Sequence, residues 1–185
     1  MCSDRPGVVL PHVSRLKRRD FLRAGAGVAT FALTTSAVAA KDVAPLFRIL
    51  RSKNANVVHY DARLLGAGFD PASPLDAYWR MHAERGQREE LSFIEQRLAY
   101  GHRVRGRVSE TGFTFILVAC RDREIRVTRV GGGARAVTRI RGEFGLLESV
   151  FVQTDEAGAL PRVVCVELRG RSARDSTPIT ERLNP

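Results

Sequence analysis

Three histidines fall after residue 40, at His59, His82 and His102, and Asp61 lies two residues beyond the first of them. In an extended chain, residues i and i+2 share a face. His59 and Asp61 would then point the same way, and an adjacent strand carrying His82 would bring further imidazole nitrogen to the same place. A cluster of His59, Asp61, His82 and His102 suits proton transfer or metal ligation, the chemistry of a small hydrolase or metal-dependent enzyme. The sequence has no Cys-x-x-Cys, no His-x-x-x-His, no Gly-x-Ser-x-Gly elbow and no Gly-Lys-Ser/Thr phosphate loop. Zinc sites of the usual spacing, serine hydrolase chemistry and nucleotide-dependent chemistry are therefore disfavoured. No metal or cofactor is expected, and no residue is assigned a catalytic role.

Arginine offers a second chemistry. Residues 121–141 hold Arg121, Arg123, Arg126, Arg129, Arg135, Arg139 and Arg141 against only Asp122 and Glu124. Guanidinium suits two-point contact with phosphate or carboxylate, which makes this segment a candidate anion-binding hairpin. Its plainer reading is a solvated basic face in an arginine-rich chain. A third group, Tyr78, Trp79, Phe93 and Tyr100, is a candidate ligand cleft, with core packing the expectation for Trp79.

The elements that must position these groups are mostly strands. Nine segments rich in β-branched and aromatic residues are predicted, at 47–51, 56–63, 75–83, 103–108, 113–120, 124–130, 135–141, 147–153 and 162–168. Short links at 109–112, 131–133 and 155–158 favour antiparallel neighbours, and the three glycines suit a three-residue turn with a bulge. Segment 113–120 is apolar on both faces, as in a strand covered on both sides. Arg103, Arg105 and Arg107 alternate with Val104, Gly106 and Val108, as in an outer strand with one wet face. Val164, Val166 and Leu168 alternate with Cys165, Glu167 and Arg169, which puts Cys165 on the less apolar face. Cys120 and Cys165 either pair in a disulfide or stay as free thiols.

One helix interrupts the strands. Ser92-Phe93-Ile94-Glu95 has the form of a capping box, Leu91, Ile94 and Leu98 recur at helical spacing, and Gly101 supplies a stop. A helix is predicted over 92–100, packed on the sheet or across an open barrel end, with Glu95 explained by the cap. The fold class is all-β, an antiparallel β-sandwich or β-barrel of about eight to nine strands with one short α-helix.

Residues 1–40 read differently. Lys17-Arg18-Arg19-Asp20-Phe21-Leu22-Arg23 precedes an uncharged stretch, 24–40, that glycine and threonine dilute below the apolarity of a membrane span of about 20 residues. Ala37-Val38-Ala39 is a small-x-small cleavage pattern. Arg18, Arg19, Phe21 and Leu22 resemble a twin-arginine export signal, with Lys17 where Ser or Thr is common. The expectation is a leader at 1–40 and one domain at 41–185. The twin-arginine translocase and signal peptidase would be partners in export, and the product would be periplasmic or secreted with no permanent membrane span. In that compartment nucleic acid is not an expected partner, despite a net charge of +10 and a pI near 10.7. The anions within reach are lipid headgroups, lipopolysaccharide phosphates and cell-wall carboxylates.

Three segments carry a family resemblance. They are Ser52-Lys53-Asn54-Ala55-Asn56-Val57-Val58-His59-Tyr60-Asp61, Pro74-Leu75-Asp76-Ala77-Tyr78-Trp79, and Leu91-Ser92-Phe93-Ile94-Glu95-Gln96-Arg97-Leu98-Ala99-Tyr100-Gly101. In this order they resemble the exported bacterial family known as domain of unknown function 4833, over 47–168. The resemblance implies one exported domain and no settled activity. The reading that remains is a non-enzymatic protein that binds an anionic envelope component or a small ligand.

Overall fold

A computed structural model of the protein describes residues 41–52, 55–83, 85–155 and 162–183. The predicted leader, with Arg18, Arg19, Phe21 and Leu22, lies outside them, as does most of the turn predicted at 155–158. Thirteen elements follow in order: β1 (Lys41–Arg51), β2 (Val57–Leu65), β3 (Gly68–Phe69), β4 (Leu75–Met81), β5 (Gln87–Glu90), α1 (Phe93–Leu98), β6 (His102–Arg105), β7 (Gly112–Leu117), β8 (Cys120–Val130), β9 (Gly133–Ile140), β10 (Glu143–Asp155), β11 (Arg162–Ser172) and β12 (Pro178–Leu183). Residues Val38–Pro185 form one compact unit, and it holds every core residue among the described residues.

The strands make one sheet that forks at β10. Its first half, Glu143–Leu146, pairs antiparallel with β9, and its second half, from Ser149 to Val152, pairs parallel with β1 along the same edge. The opposite edge pairs with β11, which pairs in turn with β12. One wing runs β1-β2-β4-β5 and the other β9-β8-β7-β6. The end strands β5 and β6 do not pair with each other, so the sheet stays open, and the fold is sandwich-like rather than a barrel.

Alternation decides which side chains enter the gap between the wings. Val58, Tyr60, Ala62 and Leu64 of β2 are buried and meet Phe115, Ile125 and Val127 of the other wing in one core. Phe47 stacks on Tyr60 at 4.6 Å between ring centroids and on Phe115 at 6.3 Å, and Phe113 meets Phe69 edge-on at 5.1 Å. These rings bridge the two layers. The fully buried Tyr60 hydroxyl donates to the Tyr100 carbonyl at 2.6 Å, satisfying a polar group that burial would otherwise penalise.

Several expectations change. Twelve strands replace eight or nine, because β3, β5 and β12 carry little apolar signal, and one pair is parallel. The β8–β9 hairpin closes through Gly131 and Gly132, since Val130 already pairs with Gly133, so the bulged three-residue turn is not used. Cys165 is buried and Val164 exposed, the reverse of the predicted faces. The register of β10 on β11 shifts between Gln153 and Thr154, which leaves Val164 as the bulged residue, while Cys165 still pairs with Gln153 and its thiol donates to Gln153 Oε1 at 3.5 Å. Cys120 and Cys165 are both free thiols.

The helix is also shorter and differently seated. Its capping box forms as predicted, with Ser92 and Glu95 satisfying each other's backbone N–H groups. Leu91 is buried, but it precedes the helix, and α1 itself buries no residue. Its packing is polar, through a Trp79 Nε1 bond to Glu95 Oε1 at 3.1 Å and a Gln96 Nε2 bond to the Leu91 carbonyl at 2.8 Å.

Two glycines make the fork testable. A Cβ on Gly170 would stand 2.1 Å from the Leu146 carbonyl oxygen, where β10 changes partners, whereas one on Gly132 would meet nothing within 4 Å. Gly170→Ala is expected to lower stability by about 1–3 kcal/mol, the usual cost of overpacking. Gly132→Ala should stay within about 0.5 kcal/mol of the parent. Urea unfolding of the two variants side by side checks the contrast.

Candidate functional site

The outer face of the second wing is built by cross-strand rows. Arg105 on β6 pairs with Thr114 on β7, Thr114 with Arg126 on β8, and Arg126 with Val137 on β9. Because all four stand on the same side of the pleat, this register assembles a groove of about 640 Å³. Arg105, Arg121, Arg123, Arg126 and Arg139 line it with Phe144, and Thr114, Ile116, Val137 and Thr138 lie between them.

The groove arginines are not equivalent. Arg123 is held by Glu181 of β12 through two contacts, 2.7 and 3.1 Å, and also donates to the Arg139 carbonyl. The Glu181 bond raises the guanidinium pKa, and Arg123 in turn holds the Glu181 carboxyl below its ordinary range. This pair fastens β12 to the wing. Arg139 lies 4.8 Å from the Phe144 ring and donates to the Gly142 carbonyl at 3.2 Å. Arg121 donates to the Val118 carbonyl at 3.3 Å. Arg105 and Arg126 form no ion pair among the described residues, so their positive charge is available to a ligand. Asp122 and Glu124 also line the groove, and a ligand must carry enough negative charge to outweigh them.

The structure thus gathers four of the seven predicted arginines. Arg129 turns elsewhere and donates to the Gly68 carbonyl at 2.9 Å. Arg141 occupies the β9–β10 turn at φ +53°, followed by Gly142 at +84°, and its N–H donates to Glu181 at 2.9 Å. Arg135 does not line the groove. Arg105 was missed as an anion ligand, although the alternation on β6 already turned it outward; what was lacking was the two-strand register that carries it to Arg126.

The first wing presents a separate polar patch on its own outer face. His59 lies opposite Tyr78, and Asp61 opposite Asp76, across β2 and β4. The Tyr78 hydroxyl donates to Asp61 Oδ2 at 2.7 Å, and Asp76 is bridged by Arg63 at 3.0 Å and Arg88 at 2.9 Å. Arg88 also lies 4.0 Å from the centre of the Tyr78 ring. Burial pushes the His59 pKa down, opposed by Asp61, and burial followed by the Asp61 bond pushes Tyr78 up. Asp61 Oδ1 is buried without a hydrogen-bond partner.

His59 and Asp61 remain on one face, but the other two histidines are elsewhere. β4 ends at Met81, and His82 lies in the following turn, exposed, its N–H donating to Asn56 Oδ1 at 2.9 Å. His102 begins β6 and meets Phe115 edge-on at 6.2 Å; burial lowers its pKa. No three His, Cys, Asp or Glu side chains among the described residues are grouped so as to hold a metal.

The four aromatic residues divide as well. Trp79 and Tyr100 meet edge-on at 5.2 Å at the inner face, Tyr78 occupies the opposite face of β4, and Phe93 projects into solvent. A recess of about 290 Å³ beside Trp79 is lined by Arg51, Glu89, Glu90 and Glu95 among others, a strongly acidic surround.

A family model described as Domain of unknown function (DUF4833) matches residues 47–182. Neither a curated protein nor a solved structure matches the chain.

Two outcomes follow from the first-wing patch. Tyr78→Phe leaves both Asp61 oxygens without a donor in a buried setting, and unfolding in urea is expected to show a loss of about 1–3 kcal/mol. His59 and His102 both titrate below their ordinary 6.5 when folded, so near that pH the unfolded chain binds more protons. Their contribution to stability is expected to fall as pH drops through about 6.5 and to level off once the folded imidazoles protonate too. Melting temperatures from pH 8 to pH 5 test this, with His102→Gln flattening the slope.

Proposed function

We propose a function for a chain that belongs to the family described as domain of unknown function 4833: an exported, non-enzymatic binding protein of the cell envelope that takes anionic ligands in the groove of its second wing. The observation that carries this reading is the pair of unengaged guanidiniums, Arg105 and Arg126, standing with Arg139 around a groove of about 640 Å³. The register of β6, β7 and β8 carries Arg105 and Arg126 on one face two strands apart, where both guanidiniums can donate to the oxygens of one phosphate or carboxylate ligand. The exposed Phe144 ring, with the half-buried Val137 beside it, suits a ligand with a non-polar part next to its charge.

Delivery is the second half of the proposal. The paired Arg18 and Arg19 with Phe21 and Leu22 support passage through the twin-arginine translocase, cleavage near Ala39 and residence in the periplasm or outside the cell. The alternative, a small hydrolase or metal-dependent enzyme using His59, Asp61 and His82, has less support. Tyr78 and Asp61 engage each other, while His82 sits in a turn beyond the strand.

Binding of inorganic polyphosphate, measured over a salt series by titration calorimetry, tests the groove. Arg105→Gln and Arg126→Gln should each weaken binding about tenfold, roughly 1.4 kcal/mol, and should reduce its salt dependence. Arg129→Gln, which removes a guanidinium directed at Gly68, should leave binding unchanged; equal loss in all three variants would reduce the effect to overall charge. Replacing Arg18 and Arg19 together with lysine should leave an uncleaved precursor in the cytoplasm, visible as a larger mass by mass spectrometry of cell fractions.

A further inference from the structure

The helix α1 is seated with its apolar side outward. Phe93, Ile94 and Leu98 are 74%, 67% and 70% exposed, while Glu95 is tied to Trp79 and Ser92 and Gln96 to the Leu91 carbonyl. The polar anchors fix the orientation, so the outward apolar surface is a property of the docked helix and not of a loose segment. Exposed clusters of large apolar side chains on a soluble face are unusual unless something covers them.

The charges around the helix say what kind of surface fits. Arg97 lies in its last turn. Just past it the Gly101 carbonyl accepts from the Val118 N–H, and the Val118 carbonyl accepts from Arg121 Nε. Arg121 therefore stands at the same corner and also lines the anion groove. Arg103 follows on β6, exposed. The acids nearby are Glu95, held by the cap; Asp122, bonded to the Cys120 thiol; and Glu89 and Glu90 on the far, N-terminal side, Glu90 paired with Arg88. The surface that offers both an apolar layer and dense negative charge within a few ångströms is an anionic lipid bilayer.

We propose that α1 is a membrane-contact element: Phe93, Ile94 and Leu98 enter the boundary between headgroups and acyl chains, and Arg97, Arg103 and Arg121 engage lipid phosphates beside them. This deepens the anion-binding reading, on which it rests, by naming the anion as a lipid headgroup in a bilayer.

Sedimentation of the unit Val38–Pro185 with vesicles tests it, because that unit holds the core of the described residues and lacks all but the last three residues of the uncharged stretch. Binding is expected to vesicles of phosphatidylcholine and phosphatidylglycerol at 3:1, and at least tenfold weaker to phosphatidylcholine alone. F93S/L98S, at exposed positions, should bind the mixed vesicles at least tenfold less, with an unchanged melting temperature and unchanged polyphosphate binding. L98F, which keeps the apolar surface, should bind as the parent does. Equal vesicle binding by F93S/L98S and the parent would overturn the proposal. So would a dimer in sedimentation velocity that F93S/L98S dissociates, since a second copy would then be the occupant. Polyphosphate binding without any vesicle binding would overturn the membrane contact and leave the groove standing; loss of both would remove both.

Discussion

One edge of one strand is shared between two partners, and the rest of the molecule is arranged around that division. The early residues of β10 give their hydrogen bonds to β9 and the later ones to β1. A strand edge has one row of donors and acceptors, so β9 and β1 cannot overlap along it. The wings must therefore part near Leu147, which is almost fully buried at the divide. Once parted, each wing has one face turned to the other, and the aromatic rings of Phe47, Tyr60 and Phe115 close the space between them. The register shift between Leu147 and Ser149 on the β11 side gives β10 the local change of twist that the fork requires.

This arrangement sends the polar chemistry outward on both sides. His59, Asp61 and Tyr78 occupy the outer face of one wing, and the arginine groove occupies the outer face of the other. The first patch is largely self-satisfied, its carboxylates facing arginines and a tyrosine hydroxyl. The second keeps charge in reserve. Arg123 and Arg129 are engaged in holding strands together, and what distinguishes Arg105 and Arg126 is the lack of such a task. A count of arginines along the chain cannot separate these roles, because the difference lies in which side chains the sheet register brings within reach.

Much of the fold was legible before the structure. The all-β class, nine strand locations and the capping box follow from alternation and local chemistry, and the three family segments belong to the chain that the family model matches. The misses have physical causes. Gln87–Glu90 and Pro178–Leu183 lack the apolar alternation that reveals a strand, and they are held by hydrogen bonds and by Arg123–Glu181 instead. The Ile94 and Leu98 spacing correctly indicates a helix, but it assigns the wrong side to the protein, since Glu95 and Gln96 make the anchoring contacts. Parallel pairing of β1 with β10 leaves no local trace, because the partners are separated by most of the domain.

That separation also sets an order of events in synthesis. β1 emerges first, but Arg48 cannot meet Ser149 until a hundred further residues have left the ribosome, and loop closure over such a span is slow. Through that interval β1 has β2 on one side and an open row of backbone groups on the other, the kind of edge that invites pairing with a foreign chain. The nascent first wing is thus a half-finished template, and the arrival of β10 is what retires it.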